Sequence, residues 1–290
     1  MRRALCFLLI FSLLLLGGCE MPDTGTHETP GGDQTENTLP TLTTVVFSIG
    51  KADAILIYNE QHAILIDAGE VEDAAEILAY LKKEKIEQLD ALILTHYDKD
   101  HVGGAAGVIE GIAIKEVYGT YQSKKSEEYD CYQAALASKN LTPTVVSMRH
   151  ALLYDALKLV IYPPHEDAYE EKESNNSSLV IHMTYGETTY LFGGDAQELR
   201  IRELLEEHET SGLSLDCDFM KVPYHGNPLE NLPALLAITT PDYAVITCSD
   251  KNPEDPTKTA ALRDAGARVF LTRAGNVYAT SNGKTLTVRH

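Results

Sequence analysis

Two histidines and two aspartates fall within six residues, His96 to His101, in the stretch "THYDKDHVGG" that follows the apolar run Ala91-Leu92-Ile93-Leu94. Imidazole and carboxylate are the side chains that bind divalent cations of borderline and hard character. His96, Asp98 and Asp100 alternate, so an extended segment points all three to one side, while His101 opens the next helix beside Gly103 and Gly104. Four ligand-capable groups can converge there without help from distant chain. Charges crowded at the end of a buried strand are costly unless a cation neutralises them. The plainer reading is a solvated turn in which Asp100 caps a helix, but a cap does not require two flanking histidines.

Two later stretches have the same placement. In "YLFGGDAQ" an apolar strand runs into Gly193, Gly194 and Asp195, and in "KVPYHGN" a strand runs into His225 and Gly226. Glycines beside each candidate ligand permit close approach of backbone. Either one alone is weak, since an Asp before a helix is usually an N-cap and a lone His is more often structural. Three such strand ends in one chain are a stronger signal.

The elements that must position these groups can be read from periodicity. "TLTTVVFS", "AILIYN" and "HAILIDAG" are β-rich runs joined by short turns, as in a meander. "EDAAEILAYLKKEK" has helical spacing, and "LDALILTH" is a continuous apolar run typical of a buried strand. Strands are expected further at "KEVYGT", "TPTVVS", "LKLVIYP", "SSLVIHMT", "TTYLFGG", "CDFMKVPY", "DYAVITCS", "RVFLT", "NVYATS" and "KTLTVRH". Helices are expected around Ser126 to Ser138, at "AQELRIRELLEEH" and at "PTKTAALRDAGA". Strands and helices interleave in two successive halves, which predicts two sheets with helices outside them. Open α/β sheets place their sites at the carboxyl ends of strands, where all three motifs fall.

The amino terminus has a different character. Arg2 and Arg3, an apolar stretch from Ala4 to Leu16 and the small residues Gly17 and Gly18 make a secretory signal over residues 1–18. "LGGC" resembles the lipobox of bacterial lipoproteins, which implies lipidation of Cys19 and a protein anchored outside the cytoplasm. Residues 19–40 are rich in Thr, Gly, Pro and acidic residues and read as a flexible tether, with His27 solvated in it. The body spans residues 41–290. Cys6 leaves with the signal; Cys131, Cys217 and Cys248 are too irregularly spaced for a framework and are expected as free or buried thiols, with one disulfide left open. The chain carries a net charge of −19, and loss of Arg2 and Arg3 leaves 22 basic against 43 acidic residues, a net of −21. That excess repels polyanions and counts against tight non-specific nucleic-acid binding.

The series "DAILI", "LIDAG", "THYDKDHVGG", "NNSSLVI", "LFGGDA" and "KVPYHGN" resembles the metallo-β-lactamase fold superfamily, and within it the extracytoplasmic hydrolase domain of ComEC-type competence proteins. The resemblance implies a four-layer αββα sandwich with two divalent metal ions at its edge. By motif, His96 and Asp98 would bind one metal, Asp100, His101 and His225 the other, and Asp195 would bridge them. This chain departs from the usual superfamily text in four places. Asp98 replaces a histidine, as it does in the ComEC-like branch, and Tyr224-His225-Gly226-Asn227 stands for the usual "HHGS". Asp255-Pro256 replaces a late "HP", and Asn175, Asn176, Ser177 and Ser178 occupy the region where lactamase-type members supply a third histidine. Three carboxylates, Asp98, Asp100 and Asp195, lower the charge of the site and add an oxygen ligand, which makes Mn²⁺ a candidate beside Zn²⁺.

A hydroxide held between two such metals would attack a phosphodiester at neutral pH, with Asp100 and Asp195 as the carboxylates at the reacting centre. Asn176 or Tyr224 would steady a non-bridging oxygen or serve a structural role. His62, His150, His165, His182 and His208 match no motif, and His165 in "YPPHED" is the one that could reach a cleft. The expected function is therefore a lipid-anchored phosphodiesterase or nuclease, with DNA or a short or cyclic phosphodiester as substrate. The acidic surface favours the shorter substrate. The alternatives are hydrolysis of acyl or lactam bonds and a degenerate binding module of the cell envelope.

Overall fold

The computed structural model describes residues 39–121, 124–170 and 172–290. The signal, Cys19, His27 and the tether up to residue 38 lie outside them. Leu39 and Pro40 are tied to the body, through Leu39 N donating to Asn282 O (3.0 Å) and Tyr185 Oη donating to Pro40 O (2.6 Å).

Strands β1 (Leu42–Val46), β2 (Ile55–Tyr58) and β3 (Ala63–Ile66) form the expected antiparallel meander. Helix α1 (Ala74–Lys83) crosses to β4 (Gln88–Leu94), which pairs parallel to β3. Helices α2 (Lys99–Val102) and α3 (Ala105–Gly111) lead to β5 (Ala113–Gly119), and α4 (Glu127–Lys139) to the short β6 (Thr144–Val145). The second sheet starts with β7 (His150–Tyr154), β8 (Leu157–Tyr162), the single-turn α5 (Glu173–Asn176), β9 (Val180–Tyr185) and β10 (Thr188–Phe192). It continues through α6 (Glu198–Ser211), β11 (Phe219–Lys221), α7 (Leu232–Thr239), β12 (Tyr243–Ile246), α8 (Pro256–Asp264) and β13 (Arg268–Leu271). Finally β14 (Val277–Ser281) and β15 (Leu286–Arg289) return to the first sheet, β14 pairing with β1. The strand orders are β15-β14-β1-β2-β3-β4-β5-β6 and β13-β12-β11-β10-β9-β8-β7.

The core has three layers of apolar contact. Ile55, Ile57, Ile64 and Ile66 from the first sheet pack with Ile181, Met183, Tyr190, Phe192 and Phe219 from the second, so the sheets face each other. Leu56, Leu65 and Leu92, from the other face of the first sheet, meet Ile77, Val108 and Leu136 of α1, α3 and α4. On the second sheet Leu191, Met220 and Ile246 meet Ile201, Leu235 and Leu262 of α6, α7 and α8. This is the expected four-layer αββα sandwich. Burial on both faces explains why the central strands read as continuous apolar runs rather than alternating ones.

Strand β7 was absent from the sequence expectation. It is an edge strand whose only fully buried apolar side chain is Leu152, while Leu153 points outward, so its text carries little hydrophobic signal. The three cysteines of the body are free thiols: Cys131 exposed, Cys217 and Cys248 buried.

Two glycines let α2 and α3 press against the loop that follows β3. A Cβ on Gly104 would meet the Ala68 carbonyl oxygen at 2.1 Å, and one on Gly103 would meet Glu70 Cα and Val71 N at 2.8 Å. The obstacles are backbone atoms, which cannot swing aside as a side chain can. Gly104→Ala is therefore expected to destabilise the protein by about 3 kcal/mol, measured by thermal unfolding. An unchanged melting temperature would contradict the close approach.

Candidate metal centre

The chemistry-bearing residues meet at the carboxyl ends of β3, β4, β10, β11 and β12. Thr95 to His101 leave β4 and enter α2, whose start is pinned by backbone bonds from Asp53 N to Asp100 O (3.0 Å) and from Ala68 N to His101 O (2.8 Å). Asp195 follows Gly194, which takes a left-handed turn (φ 52°) at the end of β10. The expected strand "CDFMKVPY" stops at Lys221, and residues 223–226 form a tight turn in which Tyr224 and His225 both have φ 53°. Two successive left-handed residues without glycine cost about 1–2 kcal/mol each and persist only where the surroundings enforce them. Here Tyr224 N donates to Gly194 O (3.2 Å), tying the His225 turn to the Asp195 turn.

Ligand atoms of Asp100, His101, Asp195 and His225 all lie within 4.8 Å of one another. Asp195 sits between the two imidazoles, with Oδ1 3.4 Å from His101 Nε2 and Oδ2 3.2 Å from His225 Nε2. Asp100 Oδ2 lies 3.5 Å from the same His225 nitrogen. The His96 ring lies next to that of His101, with centroids 4.1 Å apart. Of the six residues expected as ligands, four therefore form one compact group and His96 flanks it.

Asp98 is the outlier. Its Oδ1 accepts from Ser174 Oγ (2.6 Å) and Lys124 Nζ (3.0 Å), and its Oδ2 lies 3.9 Å from His96 Nε2. It stands at the rim of the group rather than inside it. The region expected to lack a third histidine is committed elsewhere: Asn176 Oδ1 accepts from Arg200 N (3.2 Å) and Ser178 Oγ accepts from Asp195 N (3.2 Å). Asn176 is buried, with its side-chain oxygen held by the Arg200 amide. Tyr224 is half-buried, with the Lys51 ammonium 5.9 Å from its ring centre.

Hydrogen bonds behind the imidazoles decide which ring nitrogen is presented. Asp67 accepts from Thr95 N (2.7 Å), from the Thr95 hydroxyl (2.7 Å) and from His101 Nδ1 (2.8 Å). With its proton directed to Asp67, Thr95 Oγ1 is left as the acceptor for His96 Nδ1 (3.2 Å). The same logic applies at His225, whose Nδ1 donates to Thr247 Oγ1 (2.8 Å) while that hydroxyl donates to Asp53 Oδ1 (2.7 Å). All three rings are thus held by Nδ1, and Nε2 of His96, His101 and His225 is buried without a hydrogen-bond partner, as is Asp195 Oδ1. Orphaned buried polar atoms are rare, and those of His101, His225 and Asp195, which converge, with that of His96 on the adjacent ring, suit the donor set of a divalent cation. Asp53, Asp67 and His101 also converge, but both carboxylates are engaged by the anchoring contacts.

The electrostatics agree with this fit. Burial, aided by the neighbouring His101, pushes the His96 pKa down to about 4, so it is the neutral ligand form at ordinary pH. Burial is the largest influence on His101 and His225 and disfavours their charge, yet Asp195 together with Asp67 at His101 and with Asp53 at His225 holds both above the ordinary histidine range. Burial pushes Asp195 and Asp100 up, but His225 and His101 pull both carboxyls below the ordinary range. Divalent Zn or Mn suits a donor set of three imidazoles and two buried or half-buried carboxylates, with Asp98 as a further oxygen at the rim.

Sequence reasoning missed the anchors. Asp53 and Asp67, in "DAILI" and "LIDAG", are each a carboxylate beside an apolar run, and nothing local distinguishes an anchor there from a solvated turn. Lys221 was signalled only as a lone lysine within an apolar strand, and Thr95 and Thr247 carried no signal. The other described histidines stay apart from the site, as expected. His62 lies between Asp90 (3.2 Å) and Asp155 (3.1 Å), His182 Nε2 donates to Asp216 O (2.9 Å), and His208 Nδ1 to Leu213 O (2.5 Å). The His150 ring lies tilted against that of Tyr118, with centroids 5.3 Å apart, and His165, the one that could reach a cleft, lies 3.5 Å from Glu207 instead. Asp255, in place of the late histidine, caps α8 by accepting from Thr257 N (2.8 Å).

Comparison with known proteins gives this site its setting. Residues 49–249 match the metallo-beta-lactamase superfamily. The chain is 27% identical over 219 residues to "Recombination protein 2" of Haemophilus influenzae, covering 74% of this chain and 25% of that protein. It is 27% identical over 179 residues to "ComE operon protein 3" of Bacillus subtilis, covering 61% of this chain and 22% of that protein. It thus spans about a quarter of the length of these curated relatives, which bear out the ComEC-type resemblance. Among solved structures, the metallo-beta-lactamase fold protein YhfI from Bacillus subtilis superimposes with a TM-score of 0.56 at 12% identity, over 86% of this chain and 100% of that one, a likeness of fold. On the family match, the sandwich and the ligand cluster at its strand ends, this chain belongs to the metallo-beta-lactamase superfamily.

Proposed function

We propose that this protein is a lipid-anchored, extracytoplasmic, metal-dependent hydrolase that cleaves phosphodiester bonds. The observation that carries the metal-dependent part is the convergence of the unpartnered Nε2 atoms of His101 and His225 on Asp195 and Asp100, with the unpartnered Nε2 of His96 on the neighbouring ring. A divalent metal bound there supplies Lewis-acid activation of water and of a phosphoryl oxygen. The chain's own residues do the rest. Asp67 and Thr247 keep the imidazoles oriented, and Asp195 and Asp100 supply negative charge at the centre. Lys124, beside Asp98, supplies a half-exposed cation at the rim where a phosphate would enter. The phosphodiester assignment is supported by the ComEC-type relatives and by Asp98, which replaces an imidazole with a hard oxygen. An acyl or lactam substrate is supported less, because the Asn175–Ser178 region offers no third imidazole. The anchor is supported by the lipobox-like "LGGC" and the apolar leader before it; among the described residues no helix is long and apolar enough to cross a membrane.

The strongly acidic chain favours a short or cyclic phosphodiester over long DNA, since each phosphate contact on a polymer calls for a basic partner. The test is a panel of bis(p-nitrophenyl) phosphate, cyclic dinucleotides, single- and double-stranded DNA and nitrocefin, with protein loaded with manganese or zinc. Cleavage of a phosphodiester, lost in His96→Ala, is expected. Turnover of nitrocefin alone would reverse the choice of bond. Absence of metal after loading, with no effect of Asp100→Ala, would make the protein a binding module instead.

A further inference from the structure

We propose that the buried ion pair of Asp53 and Lys221, acting through Thr247, is a positioning device that holds Asp195 and His225 in their ligand orientations. It rests on the metal-centre reading above. Both side chains of the pair are essentially fully buried, and the lysine occupies a strand position flanked by Met220 and Val222 where an apolar residue would cost far less. The contacts show what lysine adds. Its ammonium touches Asp53 Oδ2, donates to Gly194 O (3.1 Å) and lies 3.7 Å from Asp195 Oδ1. It therefore grips the left-handed Gly194 turn from behind and fixes the direction in which Asp195 leaves it.

The other oxygen of Asp53 serves the second ligand. Asp53 Oδ1 accepts from the Thr247 hydroxyl, and Thr247 Oγ1 in turn accepts from His225 Nδ1. One carboxylate thus links the β1–β2 loop, the end of β11 and the end of β12, and sets two ligands that arrive from different strands. His225 needs an anchor of this kind because it lies in a strained turn rather than on a helix, so nothing local fixes its ring. His101 has its own carboxylate in Asp67, and Asp53 with Thr247 plays that part for His225.

Thr247→Val keeps the shape of the side chain and removes the hydroxyl. In titrations with cobalt(II) alone, this variant is expected to bind about ten- to a hundredfold more weakly than wild type, with shifted visible bands. Thr247→Ser, which keeps the hydroxyl, is expected to restore affinity and spectrum. Asp53→Asn combined with Lys221→Met removes the pair without stranding a charge, and the same loss is expected. Metal-free thermal unfolding, run in parallel, separates lost ligand orientation from a lost fold. Folded Thr247→Val protein that binds cobalt(II) with wild-type affinity and spectrum would overturn the positioning role and leave the metal centre standing. Wild-type protein that takes up no cobalt(II) would overturn both.

Discussion

Asp195→Asn is expected to lower the proposed phosphodiester cleavage about a thousandfold or more, equivalent to about 4 kcal/mol of transition-state stabilisation. The reason is the placement of this carboxylate between His101 and His225, where its two oxygens face different imidazoles. Asparagine keeps the volume but removes the charge, and one face of its amide would carry protons toward imidazoles that must accept a cation. Metal content after loading is expected to fall in parallel. The readout that separates metal binding from chemistry is thermal unfolding with and without manganese. Wild-type stability should rise by about 4 kcal/mol when free metal exceeds the dissociation constant a thousandfold, and the variant should gain much less at the same concentration. An Asp195→Asn protein that stays active would remove Asp195 from the centre.

The second large effect concerns stability. Arg200→Leu is expected to cost about 4 kcal/mol, lowering the melting temperature by about 10 °C. Arg200 is fully buried, and its guanidinium is divided among three partners. Nε donates to Ser178 O (3.1 Å), Nη2 to Tyr162 O (2.9 Å) and Nη1 to Glu203 Oε2 (3.0 Å). Leucine would leave two buried carbonyl groups unpaired and strand the Glu203 carboxylate. Glu203 also accepts from Tyr169 Oη (2.7 Å), so the damage would spread to the loop before α5. Because no expected ligand is removed, metal affinity should change far less than in Asp195→Asn. A variant as stable as wild type would show that leucine packing compensates for the whole network.

These two residues illustrate what sequence reading reaches. Asp195 was legible because its signal is local: an apolar strand, two glycines and a carboxylate at the point where a strand ends. Arg200 was not, because an arginine in "AQELRIRELLEEH" reads as one more solvated charge on a helix. Its burial follows from the loops packed over α6, which the helical period does not encode. Strand β7 escaped for a related reason, since an edge strand with one buried side chain lacks the alternation that marks its neighbours. The left-handed turn at Tyr224 and His225 was read as the end of a strand, because neither residue type announces a positive φ.

By itself the sequence determined the ligand types, the strand ends that deliver them and two sheets with helices outside them, while the sandwich that brings those ends to one edge was implied by the resemblance. Hydrophobic runs and spacing at two residues are local properties, and local properties survive in the text. The resemblance had already implied that Asp100, His101, Asp195 and His225 belong together, and they do form one group; the tertiary structure alone decided that His96 lies beside it and that Asp98 is held at the rim by Ser174 and Lys124. It alone supplied the anchors that choose Nε2 over Nδ1. The hydrogen bond from Thr247 to Asp53 joins residues 194 positions apart, and no periodicity records a side-chain pairing across that distance. Such a contact exists only once both sheets are packed, because packing is what removes water and makes each buried polar group find its partner.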